Sequence, residues 1–218
     1  LLRSIDTTRG VSVTLLSEPL TALAHAHLHR SAEEAYRMPM ATETADWTIA
    51  QRDRLPDDGN TYEVVGGELF VTPSPSRRHQ WIADELCDLL KPYVREHGLG
   101  SALAVNTDVI RGDKDVVVPD VAVYPVTREG PDGPWSQMPR PILVAEICSP
   151  TTWRRDVGAK RDLYVALGVA EYWIVDADAR VVTVVRAGRA DERVHDTLRW
   201  HPAGALRSLE IDLPTLLR

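Results

Sequence analysis

The chain has 218 residues, 44% hydrophobic and 26% charged, an ordinary globular composition with enough length to bury a core and one main domain as the default. Lys and Arg number 25 against 32 Asp and Glu, a formal charge of -7, which excludes bulk electrostatic attraction to nucleic acid or anionic membrane and leaves any such partner to a local basic patch. No run reaches the about eighteen uninterrupted apolar residues of a membrane span, and the best N-terminal candidate, from Val11 to Leu28, is broken by Glu18, Pro19, His25 and His27, so neither a span nor a signal peptide is expected.

Residues 1–45 are rich in Ala, His, Ser and Thr without sustained periodicity. They are expected to be a tail or upstream extension, with Met38 or Met40 as a natural start and the folded domain over 46–218. The alternating His25, His27 and His29 within it offer imidazoles to a transition metal, but so short a motif in an unpatterned segment carries little weight. Thr61–Val65 and Glu68–Thr72 flank Gly66-Gly67, the pattern of a tight β-hairpin, and Pro73 and Pro75 end its second strand. Residues 78–97 carry Ile82, Leu86, Leu89, Leu90, Tyr93 and Val94 at helical spacings, with Gly98 as the stop and Pro92 as a kink in the last turn. Residues 102–110, 116–124 and 142–148 are short Val- and Ile-rich runs that predict strands, with a turn over 111–115 and a Gly/Pro-rich loop over 127–139. A second helix is expected over 153–167, ended by Gly168, and two further strands over 171–176 and 180–186. The order hairpin, helix, three strands, helix, two strands gives an α/β fold, a mixed β-sheet flanked by helices, without internal repeats.

Two residues look out of place in this pattern. Asp120 falls inside the apolar run 116–124, on the face of Val116, Val118 and Ala122, and Glu146 falls inside 142–148, on the face of Ile142, Val144 and Cys148. A buried carboxylate must be paired, protonated, hydrogen-bonded or bound to metal. Either one alone is explained by a strand end that reaches water or an arginine. If the strands are neighbours, the two together offer hard oxygen ligands suited to Mg²⁺ or Mn²⁺. Lys160 is one of three lysines, with Lys91 and Lys114, among 25 basic residues. It shares a helical stripe with Val157, Tyr164 and Leu167, so it either snorkels to solvent or aims its ammonium at the carboxylate pair.

Five ordered blocks carry a resemblance: Thr61 to Glu68 with Glu63 and Gly66-Gly67, Pro119-Asp120-Val121, Val144 to Thr151 with Glu146, Lys160 to Tyr164, and Glu171 to Asp176. In these the chain resembles the Uma family of restriction endonucleases, a branch of the PD-(D/E)XK nuclease superfamily, over about residues 46–218. The resemblance implies a restriction-endonuclease-like core with an N-terminal β-hairpin and a metal-dependent endonuclease acting on nucleic acid, DNA in the first instance. It implies Asp120 and Glu146 as ligands of Mg²⁺ or Mn²⁺, Lys160 as the aid to the attacking water, and Glu63 as a further acidic member of the site. Cys148 stands where the superfamily usually has its lysine, and Lys160 is the substitute. Gly66 stands where the family usually has Asp, a matter of turn chemistry. A homodimer is the superfamily's expectation for cutting both strands.

Arg77, Arg78, Arg154, Arg155 and Arg161 are candidates for the phosphate backbone and His79 for orienting a phosphate or water, although each is equally explained as surface. The first rival is a catalytically inactive nucleic-acid-binding or assembly module on the same fold. The second is a thiol hydrolase at Cys148, poorly supported because no motif places a histidine beside it. Cys87 and Cys148 form no disulfide framework, which argues for a reducing, cytoplasmic home.

Overall fold

The computed structural model describes residues 46–104, 108–126, 138–149 and 152–218. The expected extension over 1–45, with His25, His27 and His29, and most of the 127–139 loop lie outside the described residues. Helix α1 (Ile49–Arg52) opens on a reciprocal Thr48/Gln51 capping box and leads to strands β1 (Thr61–Val65) and β2 (Glu68–Thr72). These pair antiparallel with Val65 opposite Glu68. Gly66 and Gly67 both take positive φ, 60° and 81°, the left-handed pair that a two-residue hairpin turn of the primed type requires.

Helix α2 (Arg77–Glu96) is capped by the Ser76 hydroxyl and runs past Pro92 to its end, burying Ile82, Leu86, Leu90 and Val94 along one stripe. Strands β3 (Ser101–Ala104), β4 (Val109–Arg111), β5 (Asp115–Val117), β6 (Val121–Tyr124) and β7 (Leu143–Ile147) follow. Helix α3 occupies residues 153–167, α-helical over Trp153–Arg155 and Arg161–Leu167 and π-helical over Asp156–Lys160 between them. Strands β8 (Glu171–Asp176), β9 (Val181–Val185), β10 (Glu192–Val194), β11 (Thr197–Trp200) and β12 (Leu209–Asp212) and the short helix α4 (Leu213–Leu216) complete the chain.

A six-stranded sheet in the order β10-β9-β8-β7-β6-β3 forms the centre, beside a four-stranded sheet, β2-β1-β5-β4, and the ribbon β11-β12. Only β7 and β8 pair in parallel among the described strands, and a parallel pair needs a crossover; α3 supplies it. One face of the central sheet presents Val121, Val123, Leu143, Ala145, Trp173 and Val175 to α2. The opposite face presents Ala122, Val144, Tyr172 and Ile174, covered by Leu163 and Tyr164 of α3. The mixed α/β sheet with an N-terminal hairpin is thus as the sequence predicts.

Two of the predicted strands are corrected. Runs 102–110 and 116–124 each divide between sheets, with β3 and β6 in the central sheet and β4 and β5 in the four-stranded one. In the second run the break falls at Val118-Pro119-Asp120, where Pro119 has no N–H to give a ladder and the Val118 N–H goes instead to Glu63 Oε1 at 2.8 Å. Asp120 therefore stands at a junction immediately before β6 rather than mid-strand, and it no longer shares a continuous face with Val116 and Val118. Strands β10 to β12 and helix α4 have no counterpart among the predicted elements.

Candidate active site

The β6–β7 register brings the two out-of-place carboxylates together. Val121 pairs with Ala145 and Ala122 with Val144, so Asp120 and Glu146 flank the last pair, and the Asp120 charge acts on Glu146. Glu146 is reached by Lys160 and Tyr164 of α3. Asp120 Oδ2 accepts the Ile147 N–H at 2.7 Å and lies 3.1 Å from His79 Nε2, so the end of β7 and the first turn of α2 both hold it. Glu146, 3% exposed, accepts with Oε1 from Lys160 Nζ and the Tyr164 hydroxyl, each at 2.8 Å.

Lys160 does not snorkel. It is 1% exposed, and its ammonium sits 2.8 Å from both Glu146 Oε1 and Glu63 Oε1. A π turn closes its hydrogen bond one residue further along than an α turn and is frequent at functional sites; here it opens at Asp156 and closes at Lys160, and both are buried. The Tyr172 hydroxyl donates to the Asp156 carbonyl at 3.0 Å, and its ring packs against Tyr164 at 4.8 Å between centroids, fixing the turn from β8. Glu63, also 1% exposed, brings the hairpin into the cluster rather than pointing to solvent, whereas Glu68 across the turn is exposed.

Two further residues join that sequence reasoning did not assign to the site centre. Arg155 is half-buried: Nη1 lies 3.0 Å from Glu63 Oε2 and donates to Thr72 Oγ1 at 2.9 Å, and the guanidinium lies over the Phe70 ring at 5.6 Å. Asp156 is 2% exposed, and its Oδ1 has no hydrogen-bond partner, with Arg155 Nε standing off at 3.6 Å. The signal for Asp156 was its i, i+4 spacing from Lys160, which puts both on one helical face. Of the other arginines, Arg78 pairs with Asp178 and caps the carbonyls of Ala177 and Leu217, and Arg161 pairs with Asp191. Arg77 and Arg154 are exposed and make no ion pair among the described residues.

Four carboxylates, Glu63, Asp120, Glu146 and Asp156, thus face two permanent cations, Lys160 and Arg155. Burial pushes the Glu146 carboxyl up to about 8, with Asp120, Asp156 and Glu63 adding to the shift and Lys160 opposing it. Burial likewise raises Asp156 against the pull of Lys160 and Arg155. Burial alone would lower Lys160, but Glu146 and Glu63 outweigh it and hold the ammonium charged; for His79 the same contest is won by Asp120, which raises it. Such an excess of buried negative charge suits a cation. Asp120 Oδ1 and Glu146 Oε2 carry no hydrogen bond among the described residues, so one hard oxygen is open on each side. No group of three or more His, Cys, Asp or Glu among the described residues could hold a metal ion, and two carboxylates with water completing the shell is the arrangement Mg²⁺ tolerates best.

The chain belongs to the Uma2 family, whose model, described as "Putative restriction endonuclease", matches residues 49–216. It also resembles the crystal structure of a "putative nuclease belonging to DUF820" from Anabaena variabilis, at 22% identity and a TM-score of 0.63, over 78% of this chain and 97% of that one; at this identity the likeness is one of fold. No curated protein matches the chain. No helix among the described residues is long and apolar enough to cross a membrane.

Proposed function

We propose that the chain is an endonuclease that hydrolyses phosphodiester bonds in DNA with the help of a divalent cation, Mg²⁺ or Mn²⁺, in the cytoplasm and as a homodimer. The observation that carries this reading is the β6–β7 pairing, whose last pair, Val121 with Ala145, is flanked by Asp120 and Glu146, while α3 delivers a buried lysine to Glu146. Asp120 and Glu146 would hold the cation through Oδ1 and Oε2. When bound, it supplies positive charge to the scissile phosphodiester and makes water more acidic.

The chain's own residues do the rest. Ile147 N–H and His79 fix the Asp120 carboxylate so that Oδ1 faces away from them. Tyr164 and Lys160 fix Glu146 through Oε1 in the same manner. An ammonium carries three donors; Glu146 takes one of those on Lys160, Glu63 holds the charge beside it, and a remaining donor serves the attacking water or the charge that develops on the phosphate. Arg77 and Arg154, exposed and without an ion pair among the described residues, would serve the substrate backbone.

The test is nicking of supercoiled plasmid by the wild type and Glu146→Ala, each with Mg²⁺, with Mn²⁺ and with chelator. Cleavage that requires metal and disappears in the variant supports the reading. Equal cleavage by both proteins sinks it.

A further inference from the structure

We infer that Glu63 is a positioning residue and not a ligand of the cation: it holds the Lys160 ammonium and the turn that delivers Asp120. The inference rests on the nuclease reading and concerns how its site is held. Both oxygens of Glu63 are committed. Oε1 accepts the Val118 N–H and forms an ion pair with the Lys160 ammonium, each at 2.8 Å, and Oε2 faces the Arg155 guanidinium at 3.0 Å.

A divalent cation approaching Oε2 would meet Arg155, itself pinned by Thr72 Oγ1 and stacked over Phe70. Approaching Oε1, it would meet Lys160. Asp120 and Glu146 have no such guard, since each bonds through one oxygen and leaves the other open.

What Glu63 joins explains why a carboxylate is buried there. The Val118 N–H is left without a ladder partner by the break at Pro119, and Asp120 follows two residues later. By accepting that N–H, Glu63 fixes the path of the junction from the hairpin side. By pairing with Lys160 through the same oxygen, it holds the ammonium from the hairpin side while Glu146 accepts its hydrogen bond from the β7 side. Arg155 keeps Glu63 from turning and ties it to β2 through Thr72. One carboxylate thereby references the ammonium, the Asp120 junction and the hairpin to one another.

The experiment compares the full chain with Glu63→Gln, Glu63→Asp and Glu146→Gln in three readouts: Mn²⁺ affinity by electron paramagnetic resonance, kcat and KM for plasmid nicking, and the Val118 amide and Lys160 Nζ resonances of the metal-free protein. Glu63→Gln is expected to bind Mn²⁺ within about twofold of wild type while kcat falls about tenfold or more at little-changed KM, whereas Glu146→Gln loses affinity itself. Where Glu63→Gln does not fold, Glu63→Asp, which keeps the charge but retracts it by one methylene, carries the same comparison. Loss of Mn²⁺ affinity in the Glu63 variants equal to that in Glu146→Gln, or an unchanged kcat, overturns the inference. If the wild type takes up no Mn²⁺ and cuts nothing, it is the nuclease reading that falls. The positioning role is then decided by the spectra: Val118 and Lys160 resonances that shift in the Glu63 variants sustain it, and unmoved ones overturn it.

Discussion

A lysine with 1% of its surface exposed stays charged in a core only because carboxylates meet it there, and Lys160 meets two. Removing one partner of such a buried pair is costlier than removing both. Lys160→Met is accordingly expected to lose about 3–5 kcal/mol in urea unfolding, while Glu146→Leu combined with Lys160→Met loses less than the sum of the two single changes. The cysteines make the opposite case. Cys87 is fully buried, Cys148 half-buried, and burial raises both thiols, Cys148 far beyond the ordinary range with Asp156 and Glu146 adding to it. Neither should react with an aromatic disulfide reagent in the native protein at neutral pH, and both should react once it is unfolded; rapid native labelling of Cys148 would revive the thiol-hydrolase reading. Asp120 and Glu146 stood out in the sequence because a carboxylate inside an apolar run needs an explanation. Arg155 stood out only as a candidate for the phosphate backbone and Asp156 not at all, because within Arg154-Arg155-Asp156 they look like the solvated start of a helix.

Element boundaries were harder to read than element types. The hairpin was legible to the residue, since Gly66-Gly67 allows one register and the structure adopts it. The run 116–124 was misread as one strand because Val116 to Val118 and Val121 to Val123 are equally apolar on both sides of Pro119; the proline was the signal, and the two sheets it separates could not be seen from composition. The π turn of α3 was also invisible, because no residue type specifies it. Strands β11 and β12 alternate Leu198 and Trp200 against Ile211, but they are too short to stand out. A glycine pair tests how tightly α2 is joined to the central sheet. Gly98 has φ 62° with open space around it, while a Cβ on Gly100, at φ 133°, would fall onto the Tyr124 carbonyl oxygen and the backbone of Pro125. Gly98→Ala should cost about 1 kcal/mol. Gly100→Ala should cost about 3 kcal/mol by the same unfolding measurement, because backbone rather than a movable side chain is in the way.

Across the whole molecule, a formal charge of -7 means that the proposed DNA substrate would have to be held by local cations rather than by the bulk field. With Arg78, Arg155 and Arg161 engaged internally, Arg77→Ala with Arg154→Ala is expected to lower the salt slope of DNA binding by about 2 and to raise KM with kcat retained. Cation binding should also register in global stability. Mn²⁺ at about a hundred times its dissociation constant should stabilise the wild type by about 2.7 kcal/mol, and the gain should be missing in Glu146→Gln; an equal gain in the variant would place the cation elsewhere.

The crossover that carries Lys160 between β7 and β8 also sets a schedule. Glu63 and Lys160 stand 97 positions apart, 160 minus 63, and contacts between such distant segments form late because a long loop must close first. A chain leaving the ribosome presents its hairpin, then Asp120, then Glu146, and none of these has its ammonium until α3 has been synthesised and has folded back. The unfinished chain therefore exposes Glu63, Asp120 and Glu146 before the lysine that meets two of them exists, and the charge cluster is complete only with the closing of the fold.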